Sequence, residues 1–261
     1  MSIPVIGVPV INRADLLLRC LRSIDFPVDK LVVVDNGGEP EVAAVLAQVC
    51  QEGRLSIAVH SPGFNMGVSG SWNWILDDSS DAAYWLFVGN DIEFLPGDLA
   101  RIDAFVREHP DYVVMPCNHG HSLFAVTAAG KERIGYFDAN IFPAYLEDSD
   151  QMRRIALAGA PWQDVPGVRA LHGEAPSWGS STIYADPKLF AKNQITHRNN
   201  FLYYQRKHGG PPGEEKFEHP YDDPLLTWKD WRIDESLAVA NENILLCRQL
   251  GRAVDDKGVP W

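Results

Sequence analysis

With 261 residues, 46% of them hydrophobic and 22% charged, the chain is long enough for one large domain or two closely packed halves. Its composition is too evenly mixed for a disordered, collagenous or coiled-coil protein. An excess of 35 acidic over 23 basic residues leaves a net charge of −12, which disfavours a whole-surface grip on nucleic acid or anionic lipid.

The four cysteines, Cys20, Cys50, Cys117 and Cys247, are widely spaced and form no C-x-x-C pair, so neither a disulfide framework nor a structural zinc site is expected. Reduced thiols imply a cytoplasmic setting. The start, Met1-Ser2-Ile3-Pro4, lacks the basic and apolar regions of a secretion signal. No window approaches ~18 uninterrupted apolar residues, so a soluble protein without an integral membrane segment is expected.

In chain order, residues 5–10 read as a buried strand, and Asn12 and Asp15 precede Leu17, Leu21 and Ile24 at helical spacing. The unit repeats: Lys30-Leu31-Val32-Val33-Val34-Asp35 is a strand broken by Asn36-Gly37-Gly38, and Val42, Val45, Leu46 and Val49 share one helical face. Residues 55–60 predict a third strand, 68–76 a short helix, and 84–88 a fourth strand emptying into Gly89-Asn90-Asp91-Ile92-Glu93. Such alternation predicts an α/β fold with a mainly parallel sheet flanked by helices.

Pro96-Gly97-Asp98 opens a further helix, and residues 112–115 and 124–127 predict strands with which the sheet becomes mixed. A helix over 149–158, a short strand over 168–171 and a His-, Trp-, Gly- and Ser-rich loop over 172–181, a candidate lid, follow. From residue 193 onward the character changes to basic and aromatic, with a Gly-Gly-Pro-Pro-Gly break at 209–213 and a helix near 234–250. The expected organisation is a domain over 1–190, split into halves at 95/96, and a C-terminal extension over 191–261 packed on it.

Ligands of open α/β sheets bind at the carboxyl ends of the strands, where loops converge and helix N-termini present N–H groups. The loops there carry Pro9, Asn12 and Arg13, then Asp35, then Asn65 and Gly67, then Asn90, Asp91 and Glu93. Asp35 suits a base N–H or a ribose hydroxyl, or equally an Asx turn after its strand. Asp91 and Glu93 are two apart, so in an extended segment both carboxylates face one side and suit a hard divalent cation; the alternative is a cap and a solvated side chain. In the second acidic cluster, Glu147-Asp148-Ser149-Asp150, a carboxylate at a helix start is a cap, a dipole partner or a general base raised by burial against Phe142 and Tyr145. His172, at the end of a strand, is either structural or the completion of a metal site. No Walker A, G-x-G-x-x-G or G-x-S-x-G sequence is present, which removes support for P-loop, dinucleotide and serine-hydrolase chemistry.

In this order, over about residues 3–185, the pieces resemble a family 2 glycosyltransferase of the GT-A fold, in particular its rhamnosyltransferase-like and galactofuranosyltransferase-like branch. The resemblance rests on Pro9-Val10-Ile11-Asn12-Arg13, Asp35-Asn36-Gly37, Asn65-x-Gly67-Val68-Ser69-Gly70-Ser71-x-Asn73, Asn90-Asp91-x-Glu93, Gly135-Tyr136-Phe137-Asp138, Tyr145-x-Glu147-Asp148-x-Asp150, and His172. It implies that Pro9, Asn12, Arg13, Asp35, Asn65, Gly67, Asn73 and Asn90 line a nucleotide-sugar site. Asp91, Glu93 and His172 would hold Mn2+ or Mg2+, and Asp148, beside Glu147, would be the base. The implied reaction is an inverting transfer from a UDP-, GDP- or dTDP-sugar to a hydroxyl of a glycan, a protein or a modified DNA base. The rival readings are a sugar nucleotidyltransferase, whose Gly-rich basic loop after the first strand is missing here, and a non-catalytic carbohydrate- or nucleic-acid-binding module using the aromatic C-terminal third, where Arg198–His208, Trp228 and Trp231 lie.

Overall fold

The computed structural model describes residues 1–173 and 181–218. The helix expected near 234–250, Trp228 and Trp231, and most of the candidate lid lie outside the described residues.

The elements run β1 (Ile3–Val10), α1 (Ala14–Arg22), β2 (Val28–Asp35), α2 (Pro40–Gln51), β3 (Ile57–His60), α3 (Gly67–Asp78), β4 (Tyr84–Val88), β5 (Ile92–Glu93), α4 (Asp98–Glu108), β6 (Val114–Pro116), β7 (Leu123–Thr127), α5 (Ala128–Ile134), α6 (Glu147–Leu157), β8 (Leu171–His172), α7 (Ser181–Ala185) and α8 (Pro187–His208). A six-stranded sheet has the order β3-β2-β1-β4-β7-β6. The first four strands in that order are parallel, and β7 runs antiparallel to both neighbours. This is the mixed, mainly parallel α/β architecture the alternation predicts.

Period-two alternation sorts the strand side chains into two cores. Leu31 and Val33, Tyr84 and Leu86, and Leu123 and Ala125 pack with α1, α2 and α4. Val32 and Val34, Trp85 and Phe87, and Phe124 and Val126 pack instead with Trp72 and Ile75 of α3, Ile134 of α5 and Ile155 of α6. Runs of β-branched and aromatic residues are needed because both faces of these strands are covered.

The chain adds β2 and β3 on one side of β1 and then returns to place β4 on the other, so strand order reverses between β1 and β4. At such a reversal the loops after the two strands diverge and leave a crevice. A second, two-stranded sheet pairs β5 antiparallel with β8, setting Ile92 opposite His172. The short strand expected over 168–171 is therefore shifted to Leu171–His172, where it pairs with β5. Helix α8 runs through the expected 190/191 boundary, so the core and the extension are joined by continuous helix.

Candidate active site

A cavity of about 320 Å³ opens at the β1/β4 reversal, at the small end of the range for small-molecule sites. Its walls come from the ends of β1 and β4, the starts of α3 and α6, the turn before β7, His172, and the α7–α8 segment.

Three asparagine and threonine contacts close its rim. Asn90 Nδ2 donates to the Asn12 carbonyl at 3.0 Å, Asn12 Nδ2 donates to the Thr182 carbonyl at 3.0 Å, and Thr182 Oγ1 donates to Asn90 Oδ1 at 3.3 Å. The loops after β1 and β4 are thus tied to a segment 170 and 92 residues further on. Asn12 keeps one buried, unpartnered oxygen, Oδ1.

Several of the expected nucleotide residues are engaged in building the crevice. Asp35 Oδ1 accepts from the Gly37 and Gly38 amides at 3.2 and 2.8 Å, the Asx turn that was the alternative reading of that residue. That turn passes so close to the first loop that a Cβ on Gly37 would meet the Ile11 carbonyl oxygen at 1.8 Å. Arg13, at a positive φ of 59°, pairs with Asp15 at 2.8 Å. Asn73 is buried and bonds both the N–H and the carbonyl of Phe137 at 2.8 Å, fastening α3 to the segment before α6. Asn65 Oδ1 takes the Gly67 amide, Asn36 Oδ1 the Met66 amide and the Pro143 carbonyl the Val68 amide, each at 2.7 to 2.8 Å. The Met66, Gly67 and Val68 amides at the start of α3 are therefore already partnered within the protein. Pro9, Asn65, Gly67 and Asn90 line the cavity; Asn12, Arg13, Asp35 and Asn73 do not.

Asp91 and His172 meet in the cavity wall, Asp91 Oδ1 lying 3.4 Å from His172 Nε2. The β5–β8 ladder brings them together, and the Gly173 amide donates to the Asp91 carbonyl at 2.8 Å. Burial alone would push the Asp91 carboxyl up, but the His172 hydrogen bond and charge hold it below the usual carboxylate value. The same hydrogen bond raises His172 against the opposing effect of its own burial.

Glu93 is not brought to the cavity. Its carboxylate pairs with Arg19 of α1 at 3.1 Å, and Arg19 also donates to the Gly173 carbonyl at 2.9 Å. The period-two argument fails locally because Asp91 lies in the turn before β5, closed by the Ile92 amide on the Gly89 carbonyl at 3.0 Å, and not in the strand. Among the described residues no three or more His, Cys, Asp or Glu side chains form a ready-made metal site. A carboxylate and an imidazole at hydrogen-bond range still fit a divalent ion whose remaining ligands are phosphate oxygens and water.

Opposite stands the start of α6. Tyr145 and Leu146 both have positive φ, 74° and 78°, a conformation that costs non-glycine residues energy and needs support. Asn200 of α8 supplies it, accepting from the Phe142 amide at 3.2 Å and donating to the Ala144 and Tyr145 carbonyls at 3.0 and 3.3 Å. This twist turns Glu147 inward, with Oε2 buried and unpartnered, and burial together with the neighbouring Asp148 charge pushes its carboxyl up to about 8. Asp148 is exposed, does not line the cavity, and accepts from the Ser149 amide at 2.7 Å.

Sequence reasoning missed His121, Trp72, Thr182 and Asn193 as cavity residues. The His121 ring is hydrogen-bonded to Gln151 Oε1 at 2.6 Å, and burial lowers its proton affinity. The one available signal for it was a pair of histidines in the loop leading to β7.

The model of glycosyl transferase family 2 matches residues 5–156, more than half of the chain. No curated protein sequence matches. Among solved structures, the chain is similar to the mannosyltransferase PcManGT of Pyrobaculum calidifontis, in complex with GDP-Man and Mn2+: TM-score 0.59, 18% identity, covering 80% of this chain and 66% of that one. It is similar to TarS residues 1–349 of S. aureus, with TM-score 0.53, 18% identity and coverage of 80% and 74%. It is also similar to glucosyl-3-phosphoglycerate synthase of Mycobacterium tuberculosis, in complex with Mn2+, UDP and its product, with TM-score 0.56, 10% identity and coverage of 81% and 82%. At these identities the likeness is one of fold, and this chain spans just under two thirds of the mannosyltransferase's length. The family match over the stretch that builds both acidic walls of the cavity decides the assignment: this chain belongs to glycosyl transferase family 2.

Proposed function

We propose that the protein transfers a sugar from a nucleotide-diphosphate sugar to an acceptor hydroxyl, with inversion at the anomeric carbon. The observation that carries this reading is that the Asp91–His172 pair and Glu147 line one cavity, with Asp91 and Glu147 inside the family-matched stretch. Residues 1–95 would then form the donor half, 96–190 the acceptor side, and 191–261 an extension packed on both. Within the family, the ordered motifs favour kinship with the rhamnosyl- and galactofuranosyl-transferring branch.

Pro9, Asn65, Gly67 and Asn90 would line the nucleotide, with Asn12, Arg13, Asp35 and Asn73 holding the loops that present them. Asp91 and His172 would hold Mn2+ or Mg2+, whose charge offsets that of the leaving diphosphate. Glu93 would act at a distance, keeping Arg19 against the Gly173 carbonyl and so steadying the β8 end that carries His172. Mn2+ accompanies the bound nucleotides in the mannosyltransferase and the phosphoglycerate synthase, which supports a metal requirement here.

Asp148, exposed and next to Glu147 in the chain, is the proposed base for an acceptor arriving from solvent, and general-base help is worth about 10²–10⁴-fold. Glu147, buried and largely protonated at neutral pH, would contact the sugar instead. The acceptor, whether glycan, protein or modified DNA base, would approach Asp148 from solvent.

Thermal unfolding with UDP-, GDP- and dTDP-sugars, with and without Mn2+, tests the reading, because a ligand of the folded state raises the melting temperature. One nucleotide class should stabilise the protein, more strongly with Mn2+. No shift with any of them would overturn the proposal.

A further inference from the structure

We propose that Asn193 of α8, outside the family-matched stretch, reads a hydroxyl of the transferred sugar, together with Glu147; this rests on the nucleotide-sugar reading of the cavity. Asn193 is 6% exposed, and its Oδ1 is buried without a hydrogen-bond partner; the 9% exposed Glu147 has an unpartnered Oε2 in the same cavity. Buried polar atoms without partners are uncommon because each forfeits its hydration. Both residues line one cavity, and a ligand there would supply the missing bonds.

The chemistry of the missing partner follows from the acceptor. An amide oxygen needs a donor, which a diphosphate lacks and sugar hydroxyls supply; comparison with the bare nucleoside diphosphate separates the transferred sugar from the ribose and base. The Asp91–His172 pair claims the phosphate end of the cavity, so Asn193 and Glu147 are left for the hydroxylated end. A protonated Glu147 carboxyl can both donate to and accept from a hydroxyl, so the class is a sugar with free hydroxyls.

Helical spacing explains why Asn193 is there. Asn193, Thr196, Asn200, Tyr203, Tyr204, Lys207 and His208 are the buried residues of α8, a polar stripe at three- and four-residue intervals. Asn200 grips the loop before α6, and Asn193 lies seven residues earlier, about 10 Å along the axis. The same helix face that fixes the strained loop therefore delivers Asn193 to the cavity.

The test is calorimetric titration of the full chain, with Mn2+, against three pairs: UDP and UDP-glucose, GDP and GDP-mannose, dTDP and dTDP-glucose. Wild type, Asn193→Ala and Asn193→Gln are compared, the Gln variant filling the site while displacing the amide. For the pair that wild type binds, both variants should weaken the nucleotide sugar at least about fivefold while changing the nucleoside diphosphate less than about twofold. Equal weakening of both partners, or of neither, would overturn the role of Asn193 and leave the donor-site reading standing. Failure of wild type to bind any of the three diphosphates would overturn the donor-site reading itself, and the inference with it.

Discussion

Glu147 shows how one side chain's surroundings set its chemistry. Its carboxyl titrates near 8 against an ordinary 4.5, because burial and the adjacent Asp148 charge disfavour ionisation. Between those two pH values the folded state holds a proton that the unfolded state has released, so stability declines as pH rises through this window. Gln has the same shape and does not titrate. Glu147→Gln should therefore match wild type in denaturant unfolding at pH 5 and exceed it at pH 9 by more than about 1.4 kcal/mol, the worth of one pKa unit. A stability difference that does not change with pH would contradict the buried, protonated carboxyl. At this scale the sequence pointed to the acidic cluster, but it could not say which neighbour faces inward. That choice is made by positive φ at Tyr145 and Leu146, residues whose types give no hint of it.

Helices α6 and α8 are locked by buried charge. Asp150 pairs with Arg154 at 2.8 Å, with His208 at 2.9 Å and with Lys207; Lys207 also pairs with Asp138 at 2.6 Å, and Tyr203 donates to Asp138 at 2.9 Å. Burial would raise the Asp150 carboxyl, yet Lys207 and Arg154 hold it well below the usual range. Two aspartates and two fixed cations balance, so removing one cation strands an uncompensated buried charge. Lys207→Met should cost about 3–5 kcal/mol in urea unfolding, whereas a change below about 1 kcal/mol would mean the network is solvated. In the sequence the basic and aromatic run 198–208 suits the surface of a carbohydrate- or nucleic-acid-binding module. It is a helix, but Lys207 and His208 are buried with the tyrosines, because two aspartates more than fifty residues away need them. The partners of such a pair are set by tertiary packing and leave no local pattern.

Across the whole molecule, the strands were legible because their alternating apolar faces serve two cores, and the crevice followed from where strand order reverses. His172 was legible as a candidate, but its contact with Asp91, across 80 positions, depends on a two-residue ladder too short to leave a sequence signal. Among the described residues no helix is long and apolar enough to cross a membrane. What unites the molecule is a cavity with a cation-suited wall at Asp91 and His172 and a carboxyl wall at the start of α6. Calorimetric titration of the stabilising nucleotide sugar, with Mn2+, into wild type, Asp91→Asn and Asp148→Asn addresses that division of labour most directly. Binding should fall at least about tenfold in Asp91→Asn, in line with the loss of a charged metal ligand, and stay within about twofold in Asp148→Asn, whose side chain lies outside the cavity. Equal affinity in all three proteins, unchanged by omitting Mn2+, would contradict the account.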